Sequence, residues 1–308
     1  MVGSNSNRVW TGPECLLCLI SIAYEILKIT TENTNTQLIG IKKTYELLKN
    51  FSITDLPTDQ ANKMYRMLID LTKASDPYKE IKKQSNNLAK QVIELIRPHI
   101  EERTNPYENF RRAIAASIVG NMIDFGTAGH SIQLDISFLE KIYYQIITEG
   151  FAIDDTDKLF AGLKEGSEVL FIADNAGEVF FDLFLLKFLK KSRIKTILVV
   201  KSEPVSNDAT MDDVSDPVFK SAATKIMTTG TNALGVSMTE SSQEFLKSLQ
   251  TADLIIAKGQ SNFETLFYYA KQLTDKPIYF LFRAKCPAIA NFLGQTVGKN
   301  IVLLQKPE

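Results

Sequence analysis

Apolar residues recur at helical spacing through the first half of the chain and in short unbroken runs through the second. Cys15 to Thr30, Gln37 to Lys49, Asp59 to Ala74, Tyr78 to Arg97, Tyr107 to Gly120 and Phe138 to Gly150 each carry apolar positions three and four apart, the stripe of a helix with one buried face. Pro57, Pro77, Pro98 and Pro106 punctuate these segments, as residues without an amide hydrogen do at helix boundaries. Asp76-Pro77 and Asn105-Pro106 read as helix starts, a cap residue followed by proline in the first turn.

After about residue 150 the period changes. Runs at 169–173, 195–200, 253–257, 277–282 and 300–304 have strand length and are rich in Val, Ile and Leu. Helical patterns at 177–191, 217–226, 240–250, 263–274 and 287–294 lie between them. Continuous apolar strands alternating with helices predict an α/β fold, a Rossmann-like and largely parallel sheet with helices on both faces. The expected organisation is an all-helical N-terminal region over residues 1–150 and an α/β domain over 151–308. That boundary is soft, because Gly120 to Gly129 could reach into the α/β crevice.

Composition narrows the class of protein. With 44% hydrophobic and 23% charged residues, the 308-residue chain reads as globular. A net charge of −1 supplies no overall basic field for nucleic acid. No run of 18 apolar residues suggests a membrane span, and Met1 to Asn7 lacks a signal-peptide core, so the expected location is cytoplasmic. Three cysteines, Cys15, Cys18 and Cys286, make a poor disulfide framework. Cys15-Leu-Leu-Cys18 has the spacing of half a zinc site, which Cys286, His99 or His130 would have to complete; otherwise the two thiols pack on one helix face.

The candidate chemistry lies at the predicted strand ends. Asp174-Asn175-Ala176-Gly177-Glu178 follows the run at 169–173, and Asn207-Asp208-Ala209-Thr210 follows the run at 195–200. In an open parallel sheet both clusters face one crevice. Asp174, Asn175 and Asp208 offer hard oxygen donors suited to a divalent cation, and Gly177 starts a helix whose N-terminal amides, from Glu178 onward, could receive phosphate. Asp212 and Asp213 read as solvated loop residues. Lys258, at the third strand end, could pair with phosphate, with Gly259 allowing close backbone approach and Asn262 or Glu264 orienting a substrate hydroxyl. Lys285 or Arg283 would add a second cation, and Asn121 is a contact from the preceding helix while Asp124 caps or orients a neighbour. Each residue alone also reads as a cap or an exposed side chain; their convergence favours a site.

The ordered set CxxC, Gly120-Asn121-Met122-Ile123-Asp124-Phe125-Gly126, Asp174 to Glu178, Asn207 to Thr210, Ala257 to Glu264 and Phe282 to Ala290 resembles the metal-dependent damage-control phosphatases, specifically their stand-alone CxxC-containing subfamily. The resemblance spans essentially the whole chain. It implies a phosphatase for small phosphorylated metabolites such as damaged or surplus sugar phosphates. It also implies one divalent ion (Mn²⁺, Ni²⁺, Co²⁺ or Mg²⁺) on Asp174, Asn175 and Asp208, and a phosphate-facing Lys285. Lys258, Asn262 and Glu264 fall in a substrate-binding stretch. Arg283-Ala284-Lys285 departs in spacing from the family's Arg-Thr-x-Lys motif, which leaves Arg283 without an assigned role.

The expected mechanism uses metal-activated water or a phosphorylated carboxylate as nucleophile, with Lys258, Lys285 and the amides after Gly177 stabilising the transferring phosphoryl group. A haloacid-dehalogenase phosphatase would need Asp-x-Asp where residue 176 is Ala. A dinucleotide-dependent dehydrogenase would need Gly-x-Gly-x-x-Gly, and the segment Asp174 to Phe181 has one glycine. A methyltransferase would need a cofactor loop that the sequence does not offer. A metabolite-binding sensor using the same crevice is the alternative outside enzymes.

Overall fold

In a computed structural model, which describes residues 10–101, 105–122 and 136–306, the helical first half forms α1 (Pro13–Thr30), α2 (Thr34–Leu48), α3 (Pro57–Thr72), α4 (Lys79–Glu101), α5 (Pro106–Gly120) and α6 (Ile136–Glu149). Local chemistry sets several starts. Asn105 accepts hydrogen bonds from the Tyr107 and Glu108 amides ahead of Pro106 in α5, and Asn33 caps α2 through the Thr36 amide. Pro98 is a departure from expectation, for it lies inside α4 instead of beyond its end. The bond it cannot donate would have gone to Glu94, an exposed residue whose carbonyl water can satisfy.

The second half builds β1 (Ile153–Asp154), α7 (Thr156–Gly162), β2 (Glu168–Ile172), α8 (Glu178–Lys191), β3 (Lys195–Val200), α9 (Pro217–Ala222) and β4 (Lys225–Thr228). It continues with α10 (Gln243–Thr251), β5 (Leu254–Lys258), α11 (Gln260–Leu273), β6 (Ile278–Arg283), α12 (Pro287–Phe292) and β7 (Asn300–Gln305). The helix expected over 217–226 stops at Ala222, and its last residues begin β4, an edge strand paired parallel to β3. β1 and α7 lie outside the predicted elements, being too short to show a period.

The seven strands form one sheet in the order β1-β7-β6-β5-β2-β3-β4. Pairing is parallel except between β6 and β7. The chain leaves β2 towards β3 and β4, then returns to place β5 on the other side of β2. The C-terminal ends of β2 and β5 therefore flank the point where strand order reverses, where α/β sheets form their ligand crevice.

Alternation along the strands sends side chains to two cores. Val169, Phe171, Leu198 and Val200 join α4, α5, α6 and α8 on one face; Leu170, Ile172, Ile197 and Val199 join α10, α11 and α12 on the other. A third cluster gathers α1, α2 and α3 with Val205 from the loop after β3, which sets these helices above the C-terminal edge. Among the described residues no helix is long and apolar enough to cross a membrane.

Phe263 anchors the second core, stacked on Phe282 at 4.8 Å between ring centroids and edge-on to Phe280 at 5.1 Å. Truncating Phe263→Ala is expected to destabilise the protein by about 3–5 kcal/mol, measurable as a shift in the denaturant midpoint.

Candidate functional site

Asp174 and Asn175 follow β2, and the chain turns at Gly177 (φ 77°) into α8. A side chain at Gly177 would meet Ser85 of α4 at 2.9 Å, and the Gly177 amide donates to Asn86 Oδ1 at 2.6 Å. The loop after β3 folds back along this segment. Asn175 and Asp208 form an antiparallel bridge; the Ala176 amide donates to Asn207 O at 2.9 Å and the Ala209 amide to Asp174 O at 2.8 Å. Backbone bonding thus fixes Asp174, Asn175 and Asp208 side by side, each buried.

Asp174 and Asn175 form a square of four side chains with Asn121 and Glu178. Asn121, at the end of α5, donates through Nδ2 to Asp174 Oδ2 (3.1 Å) and to Glu178 Oε2 (2.8 Å). Asn175 Nδ2 donates to the same two oxygens, at 2.8 and 3.2 Å. Lys258 supports the square from below: its ammonium donates to Glu178 Oε1 (2.7 Å), Asp182 Oδ1 (2.7 Å) and Ser117 O (3.0 Å). Burial would drive a proton off Lys258, but Asp182 and Glu178 outweigh it and raise its pKa. Burial pushes the Asp182 carboxyl above its ordinary range while Lys258 pulls it back.

Above the square is a cavity of about 720 Å³, which Asn121, Asp174, Asn175 and Asp208 line from the sheet edge. α1 and α3 contribute Cys15, Cys18, Leu19, Met64 and Tyr65 to its walls, and the segment after β6 contributes Arg283 to Ile289. Lys285 is exposed at this wall. Glu264 also lines the cavity, accepting from Thr58 Oγ1 at 2.5 Å and Gln260 Nε2 at 3.1 Å. Burial raises its carboxyl above the ordinary range, against the pull of those two hydrogen bonds.

Several residues stand elsewhere than the sequence suggested. Glu178, Lys258 and Asn262 do not line the cavity but are buried below it. Asn262 Nδ2 donates to Ala173 O and Lys258 O, tying the ends of β2 and β5 together. At the start of α8 the amides of Val179 and Phe180 are engaged by Asn175 O and Gly177 O, and those of Ala176 and Gly177, just before the helix, bond Asn207 and Asn86. Asp213 is buried, not solvated, accepting from the Thr210 amide and hydroxyl and from Asn86 Nδ2. Asp212 is exposed as expected. Asp124 lies outside the described residues.

Sequence reasoning did not find Asp182, Ser117 or Asn86, whose partners are 65 to 141 positions away. Lys201 also gains a role: it is buried 3.6 Å from Asp208 Oδ2 and donates to Gly235 O. Burial lowers its pKa while Asp208 and Asp174 act in the opposite direction.

Cys286 comes to the same cavity as Cys15 and Cys18, and all three thiols are free. Among the described residues no three His, Cys, Asp or Glu side chains are gathered so as to hold a metal ion. The oxygen-bearing side chain between Asp174 and Asp208 is an amide, that of Asn175.

Gly259 (φ 79°) passes so close that a Cβ there would lie 1.9 Å from Asp174 Oδ2. Gly259→Ala is expected to cost about 1–3 kcal/mol from backbone strain alone and to displace the Asp174 carboxylate, read from denaturant unfolding and a crystal structure of the variant. Glu264 supplies the pH prediction. Its folded-state pKa is raised, so its contribution to stability is complete at low pH and is lost as pH rises through that raised value. The Tm of Glu264→Gln relative to the parent protein is therefore expected to increase as pH rises above about 4, the ordinary carboxylate value.

Comparison with known proteins places this geometry. Residues 11–301 match the damage-control phosphatase ARMT1-like domain. An uncharacterised protein of Methanocaldococcus jannaschii is 35% identical over 294 residues, covering 94% of each chain. A damage-control phosphatase of Archaeoglobus fulgidus is 33% identical, covering 94% of this chain and 97% of its own. One from Pyrococcus horikoshii is 30% identical over 95% and 97%. The crystal structure of a DUF89 family protein from Pyrococcus horikoshii superposes with a TM-score of 0.83 at 28% identity, covering 97% of this chain and 99% of that one. The chain belongs to the damage-control phosphatase ARMT1-like family.

Proposed function

We propose that this protein is a divalent-metal-dependent phosphatase that hydrolyses small phosphorylated metabolites, sugar phosphates or damaged phosphometabolites among them. The observation that carries the reading is the orientation of Asn175. Both hydrogens of its Nδ2 are engaged, by Asp174 and Glu178, and among the described residues none donates to its Oδ1, although the residue is only 5% exposed and lines the cavity. An amide oxygen without a donor, on a cavity-lining side chain whose nitrogen two carboxylates hold in place, is a site that a hard cation fits.

Asp174, Asn175 and Asp208 would hold that ion. Their all-oxygen set suits Mn²⁺, Mg²⁺, Co²⁺ or Ni²⁺. When bound, it would supply Lewis-acid stabilisation of charge on the phosphoryl group. The remaining work belongs to the protein's own side chains. Lys285, on the cavity wall, is the cation best located to meet the phosphoryl oxygens. Asn121 and Glu178 fix the Asp174 carboxylate and the Asn175 amide in one orientation before any substrate arrives. Glu264, on the wall with Thr58 and Gln260, is a candidate partner for the hydroxyls of a sugar. The names of the Archaeoglobus and Pyrococcus relatives support phosphate ester hydrolysis as the reaction class.

The test is phosphate release from p-nitrophenyl phosphate and a sugar-phosphate panel. Chelator-stripped protein would be re-supplied with Mg²⁺, Mn²⁺, Co²⁺ or Ni²⁺ singly. Turnover is expected to return with at least one ion and to fall roughly a hundredfold or more in Asp208→Ala, the equivalent of a few kcal/mol of transition-state stabilisation. Folded protein that binds an ion yet releases phosphate from none of the esters would sink the proposal.

A further inference from the structure

Glu178 is buried beneath the cavity with an acceptor role at both ends. Oε1 receives the Lys258 ammonium; Oε2 receives Nδ2 of both Asn121 and Asn175. A side-chain amide presents donors on one side and an acceptor on the other, so whatever receives Nδ2 determines where Oδ1 points. Asp174 Oδ2 and Glu178 Oε2 each take one hydrogen from both amides. Asn121 Oδ1 is thereby turned to the Arg283 amide, and Asn175 Oδ1 to the side where none of the described residues donates to it.

We propose that Glu178, clamped by Lys258, is a positioning residue that sets the orientation of both amides and so presents the Asn175 carbonyl oxygen to a divalent cation. The inference rests on the metal reading of the same site. Glu178 itself does not touch the ion. It fixes which atom of Asn175 does. Lys258 is what makes the arrangement one-directional. An ammonium has three donors and no acceptor, and here its three acceptors are Glu178, Asp182 and the Ser117 carbonyl, so it imposes acceptor character on the carboxylate end it meets. Asp182 and Ser117, which bond each other at 2.6 Å, hold the ammonium in place.

This logic makes an unusual demand on Glu178→Gln, a change of nearly the same shape. The introduced amide has one acceptor end for two sets of donors. Lys258 cannot turn to accept, so the new side chain would give its oxygen to Lys258 and turn its NH₂ towards the asparagines. Asp174 Oδ2 still claims Nδ2 of both amides, so donor would face donor, and the asparagines would be pushed out of the orientation that presents the Asn175 oxygen. Replacing Lys258 by Met as well removes the demand at the lower end. The introduced amide could then turn its NH₂ towards Asp182 and its oxygen back to Asn121 and Asn175.

The experiment is isothermal calorimetry of Mn²⁺ binding to chelator-stripped protein, with Tm recorded for each variant. Glu178→Gln is expected to bind roughly 10–100-fold more weakly, the range seen when partners behind a metal ligand are altered. The double variant Glu178→Gln/Lys258→Met is expected to regain about tenfold or more of that loss, on the same principle. Leu249→Ala, buried in α10 within the core on the other face of the sheet, serves as the destabilised control, with lower Tm and unchanged affinity. Parent-like affinity in folded Glu178→Gln, or a double variant weaker than the single one, overturns the positioning role while leaving the metal site standing. A parent protein that binds no Mn²⁺, Mg²⁺, Co²⁺ or Ni²⁺ overturns the metal reading and the inference together.

Discussion

Two carboxylates, Asp174 and Glu178, face each other at the end of β2 across two shared asparagine amides, and the rest of the site is arranged around that contact. Buried carboxylates are costly unless each lone pair finds a donor. The donors come from elements far apart in sequence: Asn121 from the end of α5 and Lys258 from the end of β5. The N-terminal helices are therefore more than a cover for the sheet. α5 supplies both Asn121 and the Ser117 carbonyl, and packs so tightly on α8 that a side chain at Gly120 would lie 3.0 Å from Glu178 Cα. Removing one donor leaves a charged acceptor unpaired in a dry interior, a heavier loss than one ordinary hydrogen bond.

The topology explains why these groups meet at this edge. β2 and β5 are neighbours although 85 residues separate paired positions such as Val169 and Leu254. Each ends in a glycine turn leading into a helix, and the two turns touch where Gly259 leaves room for Asp174. The loop after β3 closes the third side, tied to the end of β2 by backbone hydrogen bonds. The acidic side chains therefore inherit their positions from the main chain, while the amides inherit theirs from other side chains.

Much of this is legible in the residues, for identifiable reasons. Fully buried strands read as continuous apolar runs, so β2, β3, β5, β6 and β7 stand out. β4 does not, because an edge strand exposing Lys225 lacks that run and continues a short helix with only two residues between them. The grouping of Asp174, Asn175 and Asp208 follows from strand ends sharing one edge. Which way a polar side chain turns at such an end does not follow. Lys258 is at the edge, as its sequence position suggests, yet its ammonium lies below the carboxylates because acceptors from α5 and α8 await it there. Asp213 departs from its solvated reading for the same reason: its partners on α4 cannot be located from the loop's own polarity.

The order of the sheet also dictates when it can be completed. β1 pairs only with β7 among the described strands, and β7 is the last of the described elements, at residues 300–305. During synthesis the five strands from β2 to β6 can align as a parallel set before the chain is finished. β1 has to wait about 150 residues for the antiparallel strand that joins it to the others, a separation that slows pairing through the entropy of closing so long a loop. One border of the sheet is thus sealed by a strand made about 150 residues after β1, so a nascent chain, or one cut before β7, exposes the hydrogen-bonding edge of β6 to any extended segment that can add to it.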